Sequence, residues 1–195
     1  MGKRDKQAAI ELMEKAWASR RETMTSPPES KQQLQKKMDE VYQYLIEAVA
    51  ICREVGAQRE LVHALRKLGH VEQEMGRNNV TRALYEEAVT ISRAEGDTLL
   101  LAHSVRHLGD IHRHAGRAVD AAACYDEALA LYRNQEQPPK LDLANVIRPM
   151  AILKEDAGVV NEAKKLWQEA RDLYAAVKVQ EGVDECSQHL ARLGA

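Results

Sequence analysis

The chain contains no phenylalanine, and two tryptophans and six tyrosines are its only other large aromatics. Runs of β-branched residues are short as well, so strands have little to be built from. Ten glycines and five prolines in 195 residues leave no Pro/Gly/Ser-rich linker to divide the chain. The three cysteines, Cys52, Cys124 and Cys186, are far apart and show no CxxC spacing. They read as small hydrophobes in a reducing compartment, not as a disulfide framework or a zinc knuckle. No apolar run is long enough for a signal peptide or a membrane span. Met1-Gly2 opens like a myristoylation site, but Lys6 stands where Ser or Thr is needed. A net charge of -2 and a pI near 6.4 give no global case for nucleic acid. A cytoplasmic protein with neither nucleic-acid nor membrane partners is expected.

What remains is a helical composition. Hydrophobic residues make up 45% and charged residues 30%, enough for a core and too apolar for disorder. Ala, Leu, Glu, Arg and Gln are good helix formers. They recur with a period. Leu68-Gly69 returns as Leu108-Gly109, Gly76 as Gly116, Tyr85 as Tyr125 and Ala88 as Ala128, each pair 40 apart. A further copy follows at 42: Leu108 maps to Met150, Gly116 to Gly158, Tyr125 to Trp167 and Ala128 to Ala170. Upstream, the block at Ala88 maps back to the block at Ala48, again at 40. A fixed period of this size means stacked supersecondary units.

Each copy holds two amphipathic helices. Leu61, Leu65, Leu68, Val71 and Met75 form one stripe at three- and four-residue spacing. Gly76 ends that helix as a left-handed residue does. Leu84, Ala88 and Ile91 form the second stripe, closed by Gly96-Asp97. Nine helices are expected at about 5–22, 31–54, 58–75, 79–95, 98–115, 118–134, 141–157, 160–179 and 183–193. Pro27-Pro28 breaks the first two apart, and Ser30 is a candidate N-cap.

Leu-Gly, a turn Gly, a large aromatic and a small Ala at these offsets resemble the tetratricopeptide repeat. The pattern is carried by Leu68-Gly69, Gly76, Tyr85 and Ala88, and more fully by Leu108-Gly109, Gly116, Ala121, Tyr125 and Ala128. The third copy departs at Met150-Ala151 and Trp167, and the first keeps only Leu45 and Ala48. The long period is similar to that of kinesin light chain and of the LGN/Pins adaptors. The resemblance implies an all-α fold, a right-handed α-solenoid of antiparallel helix pairs. It would be a single domain over 1–195: an atypical cap helix and linker at 1–30, a degenerate repeat at 31–57, repeats at 58–97, 98–139 and 140–182, and a capping helix at 183–195. In this reading the aromatics fill the space between copies.

The first helix of each pair is expected to line the concave face. Opposite its apolar stripe the third helix carries His63, Arg66 and His70, with Lys67 beside them. The fifth carries His103, Arg106, Asp110 and Arg113, with His107 beside them, and the seventh carries Asn145 and Arg148. Arg66, Arg106 and Arg148 share one repeat position. All seven histidines lie on first-type helices, whereas second-type helices carry Glu86, Glu87, Asp126 and Glu127. A groove of this kind would bind an acidic peptide segment, because the planar guanidinium takes carboxylate in a fork. His103 and His107, four apart, have metal-ligand spacing, but no HExxH accompanies them. No metal or cofactor is expected. No nucleophile elbow, P-loop or dinucleotide turn appears, so catalysis has no motif. The expected function is a non-catalytic adaptor or scaffold with a protein partner. The alternatives are a self-associating module, with a homodimer through the terminal helices, and a ligand-responsive regulatory domain. Ile10, Met13 and Trp17 mark the first helix as the cap of the stack or as the surface of such a dimer.

Overall fold

The structure is a computed structural model that describes residues 5–26 and 30–194. Pro27-Pro28 and Met1-Gly2 lie outside the described residues. Among the described residues there are nine helices and no strand: α1 (Lys6–Thr25), α2 (Lys31–Val55), α3 (Gln58–Glu74), α4 (Asn78–Glu95), α5 (Thr98–His114), α6 (Ala118–Arg133), α7 (Lys140–Asp156), α8 (Val160–Ala176) and α9 (Gln180–Gly194). Every boundary falls within three residues of the expected one. The fold is all-α and of the α-solenoid class.

The helix ends follow from local chemistry. The side chains of Asp5, Ser30 and Asp97 accept hydrogen bonds from the backbone N–H groups of Ala8, Gln33 and Leu100, at 3.0, 3.2 and 3.0 Å. Each satisfies a donor the first turn cannot. Gly76, Gly116 and Gly158 take φ near +72° after the first helices of their copies, and Gly56 and Gly96 do so after second ones. Lys178, two periods after Gly96, holds the same left-handed seat with φ 60°. It ends α8 early and starts α9 at Gln180.

The helices form two compact units that divide between Gly96 and Asp97, where one copy gives way to the next. In the first, α1 packs on α2 and α3 on α4, with α2 against α3. In the second, α5 packs on α6 and α7 on α8, with α6 against α7 and α8 against α9.

The repeat residues close the crossing within each pair. A Cβ on Gly69 would stand 2.8 Å from Tyr85 Cε2, and one on Gly109 would stand 2.7 Å from Tyr125 Cε1. The rings therefore lie on the glycines of their own copy, not between copies as the pattern led us to expect. Tyr85 and Tyr125 are buried, as are Ala88, Ala128 and Ala170. In the third pair Trp167 is fully buried, with Ala151 in the glycine position. Leu68 is 3% exposed, whereas its repeat mate Leu108 is only half-buried. Pro149 lies inside α7 at the position held by Lys67 and His107 in the preceding copies.

Candidate functional site

All eleven residues singled out on the first helices are half-buried, neither in the core nor wholly in solvent. His63, Arg66, Lys67 and His70 belong to the first unit, on α3. His103, Arg106, His107, Asp110, Arg113, Asn145 and Arg148 belong to the second, on α5 and α7. Their surroundings differ sharply between the units.

In the first unit the α3 face meets α1. Trp17 receives Lys67, whose Nζ stands 3.9 Å from the ring centroid, and the Arg20 guanidinium at 5.0 Å. The His70 ring approaches edge-on at 5.8 Å. Arg20 also donates from Nε to Glu74 at 3.2 Å. Burial above all, then the charges of Arg66, Arg59 and Lys67, pushes the His63 imidazole below its ordinary pKa. Burial, then Arg66, Arg21 and Arg20, does the same to the Lys67 ammonium. Positive charge is thus crowded on this face, with Glu74 set against Arg20 and His70, and Glu60 against Lys6.

In the second unit the cations are braced by acids of the chain itself. Arg106 donates to Asp110 Oδ2 at 3.1 Å, and Tyr125 donates its hydroxyl to Asp110 Oδ1 at 2.8 Å. His107 Nδ1 stands 3.6 Å from the same carboxylate, while its Nε2 faces Arg106 Nη2 at 2.7 Å. Burial alone would raise the Asp110 carboxyl. The hydrogen bonds and charges of His107, Arg106 and Tyr125 outweigh it and hold the group below the usual carboxylate range. Arg148 donates to Glu185 of α9 at 3.2 Å. Arg113 lies beside His114, Nη2 to Nε2 at 2.9 Å.

A second tyrosine position adds another layer. Tyr132 brings its hydroxyl to His103 Nδ1 at 3.0 Å, and Tyr174, one copy later, donates to Asn145 Oδ1 at 2.9 Å. Position 92, one copy earlier, is Ser92, which turns back to the Ala88 carbonyl at 2.7 Å. His103 also stands 3.6 Å from Asp142 Oδ1. The pairing of His103 with His107 read from their spacing is therefore split, since each ring serves a different partner. Among the described residues no three His, Cys, Asp or Glu side chains are grouped to hold a metal ion.

Sequence reasoning named Asp110 but missed Glu185, the acid of α9 that meets Arg148. Glu155 on α7 is a further acid of the second unit. Glu155 accepts from Trp167 Nε1 at 2.9 Å and meets His189 Nδ1 at 2.7 Å, and the His189 ring stacks on Trp167 at 3.9 Å. It also missed that Arg20, Arg21 and Arg59 join the α3 face. The signal available was the pair of arginines one turn beyond Trp17.

Residues 60–134 match the family model of the tetratricopeptide repeat. Over residues 60–134 the chain carries tetratricopeptide repeats. Solved structures repeat the fold. The crystal structure of BtubC (BKLC) from P. vanneervenii is 16% identical with a TM-score of 0.62, over 96% of this chain and 89% of that one. A Podosopora anserina kinesin-light-chain-like protein of nearly identical TPR-like repeats is also 16% identical, with a TM-score of 0.69 over 95% and 85%. Aspartyl phosphate phosphatase F from Bacillus subtilis is 12% identical with a TM-score of 0.77, over 96% of this chain but 45% of that one. No curated protein sequence matches the chain. At these identities the likeness is one of fold. Tetratricopeptide repeats make a protein–protein interaction scaffold, presenting side chains from stacked helix pairs. No helix among the described residues is long and apolar enough to cross a membrane.

Proposed function

We propose that this tetratricopeptide-repeat chain is a non-catalytic adaptor that binds an acidic segment of a partner protein on the exposed faces of its first-type helices. The observation that supports the reading is the cluster of cations where α3 meets α1: Arg66 and Lys67 lie half-buried on α3, with Arg20 and Arg21 of α1 close enough to act on Lys67. A half-buried guanidinium binds carboxylate more strongly than an exposed one, because water screens it less. In the second unit Arg106 and Arg148 are anchors of a different kind. They are ordered by Asp110 and Glu185, and a partner carboxylate would exchange with those acids or add to them. Arg148 and Glu185 are 38% and 37% exposed at the side chain, which leaves room for exchange.

The test is binding of acidic peptides to the full chain, wild type beside Arg66→Glu/Lys67→Glu and beside Arg106→Glu/Arg148→Glu. The first pair should weaken binding by about tenfold or more, and affinity should fall with added salt. The second pair should lose less, since removing a braced arginine also frees its own acid. Affinity that ignores both reversals, or ignores salt, refutes the reading.

A further inference from the structure

Between α1 and α3 the first unit forms a cavity of about 620 Å³, inside the range of about 300–1,000 Å³ typical of small-molecule sites. Its floor is hydrocarbon: Ile10, Met13, Trp17 and Ala18 follow one face of α1. Its rim is charged, and the charges do not cancel. Glu60 is already engaged by Lys6 at 3.2 Å. Lys67 and Arg21 form no ion pair among the described residues, and the Lys67 ammonium rests on the Trp17 ring instead. Arg59 adds a third cation to the lining, and Glu14 is the one other acid there. Burial is the first cause that lowers both Lys67 and His63, and the neighbouring cations are the second; a bound anion would relieve the second.

The lining also limits the kind of anion. It contains no amide and no hydroxyl side chain. A peptide brings an N–H and a C=O with every residue, and each needs a partner once out of water. A hydrocarbon floor with cations only at the rim suits a molecule that is apolar along its body and anionic at one end.

We propose that this cavity binds a free aliphatic monocarboxylate of the fatty-acid class, with its chain along Ile10, Met13 and Trp17 and its carboxylate between Lys67 and Arg21. The site is distinct from the acidic-segment reading, with which it shares Lys67 and His63. It makes α1 a ligand-binding element and not merely the end of the stack.

The test uses decanoate, below its micelle concentration, and uncharged decanol, each titrated into the full chain by calorimetry and by tryptophan fluorescence. Trp167 is fully buried in the second unit, so it serves as the silent indole against which Trp17 responds. Saturable binding of one decanoate per chain is expected, at least about tenfold tighter than decanol. Lys67→Gln/Arg21→Gln should lose that preference. Ala18→Trp, which fills the cavity from an exposed position without removing a charge, should abolish binding of both. Arg106→Glu/Arg148→Glu should leave decanoate binding unchanged, which separates this site from the acidic-segment face. Circular dichroism and thermal melting confirm that each variant folds. Absence of saturable decanoate binding overturns the proposal. So does equal affinity for decanol, an unchanged affinity in the folded Lys67/Arg21 variant, or a site that takes acidic peptides and refuses decanoate.

Discussion

Arg53 donates from Nη2 to both carboxylate oxygens of Glu87, at 2.8 Å each. Two copies further on Arg133 donates from Nη2 to one carboxylate oxygen of Glu169, Oε1, at 2.7 Å. The arginines are 80 residues apart and the acids 82, two periods in each case. The first pair straps α2 to α4 and the second straps α6 to α8, so both join second-type helices of successive copies. Their exposure sets the magnitude: the side chains are 36–53% accessible, and ion pairs in water contribute little. A double-mutant cycle on Arg53 and Glu87, read by urea unfolding, should give a coupling of about 0.5–1 kcal/mol that shrinks in about 0.5 M salt. A coupling of several kcal/mol would mean the strap is a structural keystone.

Gly69→Ala and Gly109→Ala should each destabilise the chain by about 1–3 kcal/mol, the usual cost of overpacking. The added methyl meets the flat body of a buried tyrosine ring, which has nowhere to swing. The glycine beneath Tyr125 should be the more sensitive, since Cys124 Cβ also stands 3.1 Å from the new carbon. Chemical denaturation of the two variants checks the order.

Lys178→Gly should raise stability, because a lysine holds a left-handed conformation that costs about 1–2 kcal/mol for an L-residue. Part of that gain is returned, since glycine makes the unfolded chain freer by about 0.4–1 kcal/mol. A net gain of a few tenths to about 1 kcal/mol is expected from the melting curve. The converse change, Gly96→Ala, should destabilise at the equivalent seat, where the space around the missing Cβ is open and only the backbone objects.

Asp110 should make the second unit acid-sensitive. Its folded pKa lies below the unfolded one, near 4, so the folded state holds the carboxylate charged where the unfolded state begins to take up a proton. The stability it contributes is complete above the unfolded pKa and is lost as pH falls through the folded value. Asp110→Asn should therefore lower stability at pH 7 and flatten the decline below about pH 4. Urea midpoints measured from pH 7 down to 3 should show wild type and variant converging. Parallel curves would remove Asp110 from the account.

The fold was legible because its determinants are local and repeated. Leu65 and Leu68 recur at helical spacing, Gly76 and Gly116 stop helices through backbone geometry, and Ser30 caps α2 as its position suggested. The faces of the first helices were legible for the same reason: all eleven chosen residues are half-buried. Their partners were not. Glu185 reaches Arg148 from thirty-seven positions away, and Trp17 meets Lys67 of α3 directly although α2 lies between them in the sequence. Such pairings depend on which helix lies beside which at a given height, and a period in sequence carries no height. Charge pattern alone gave Arg66, Arg106 and Arg148 one role, whereas packing sets Arg106 against Asp110 and Arg148 against Glu185.

Ser92 stands where later copies have Tyr132 and Tyr174, so no phenol covers His63 as one covers His103 and Asn145. Serine at this position leaves Gly69, Tyr85 and Ala88 of the same helix pair in place. Copies of this chain are therefore alike at the crossing of the helix pair but differ in what covers the face of the first helix. Transplanting residues 98–139 onto 58–97 would preserve the glycine beneath the ring and the alanine at the crossing, and would close over the imidazole that now looks toward α1. The covering of that face can change one side chain at a time while the architecture stands still.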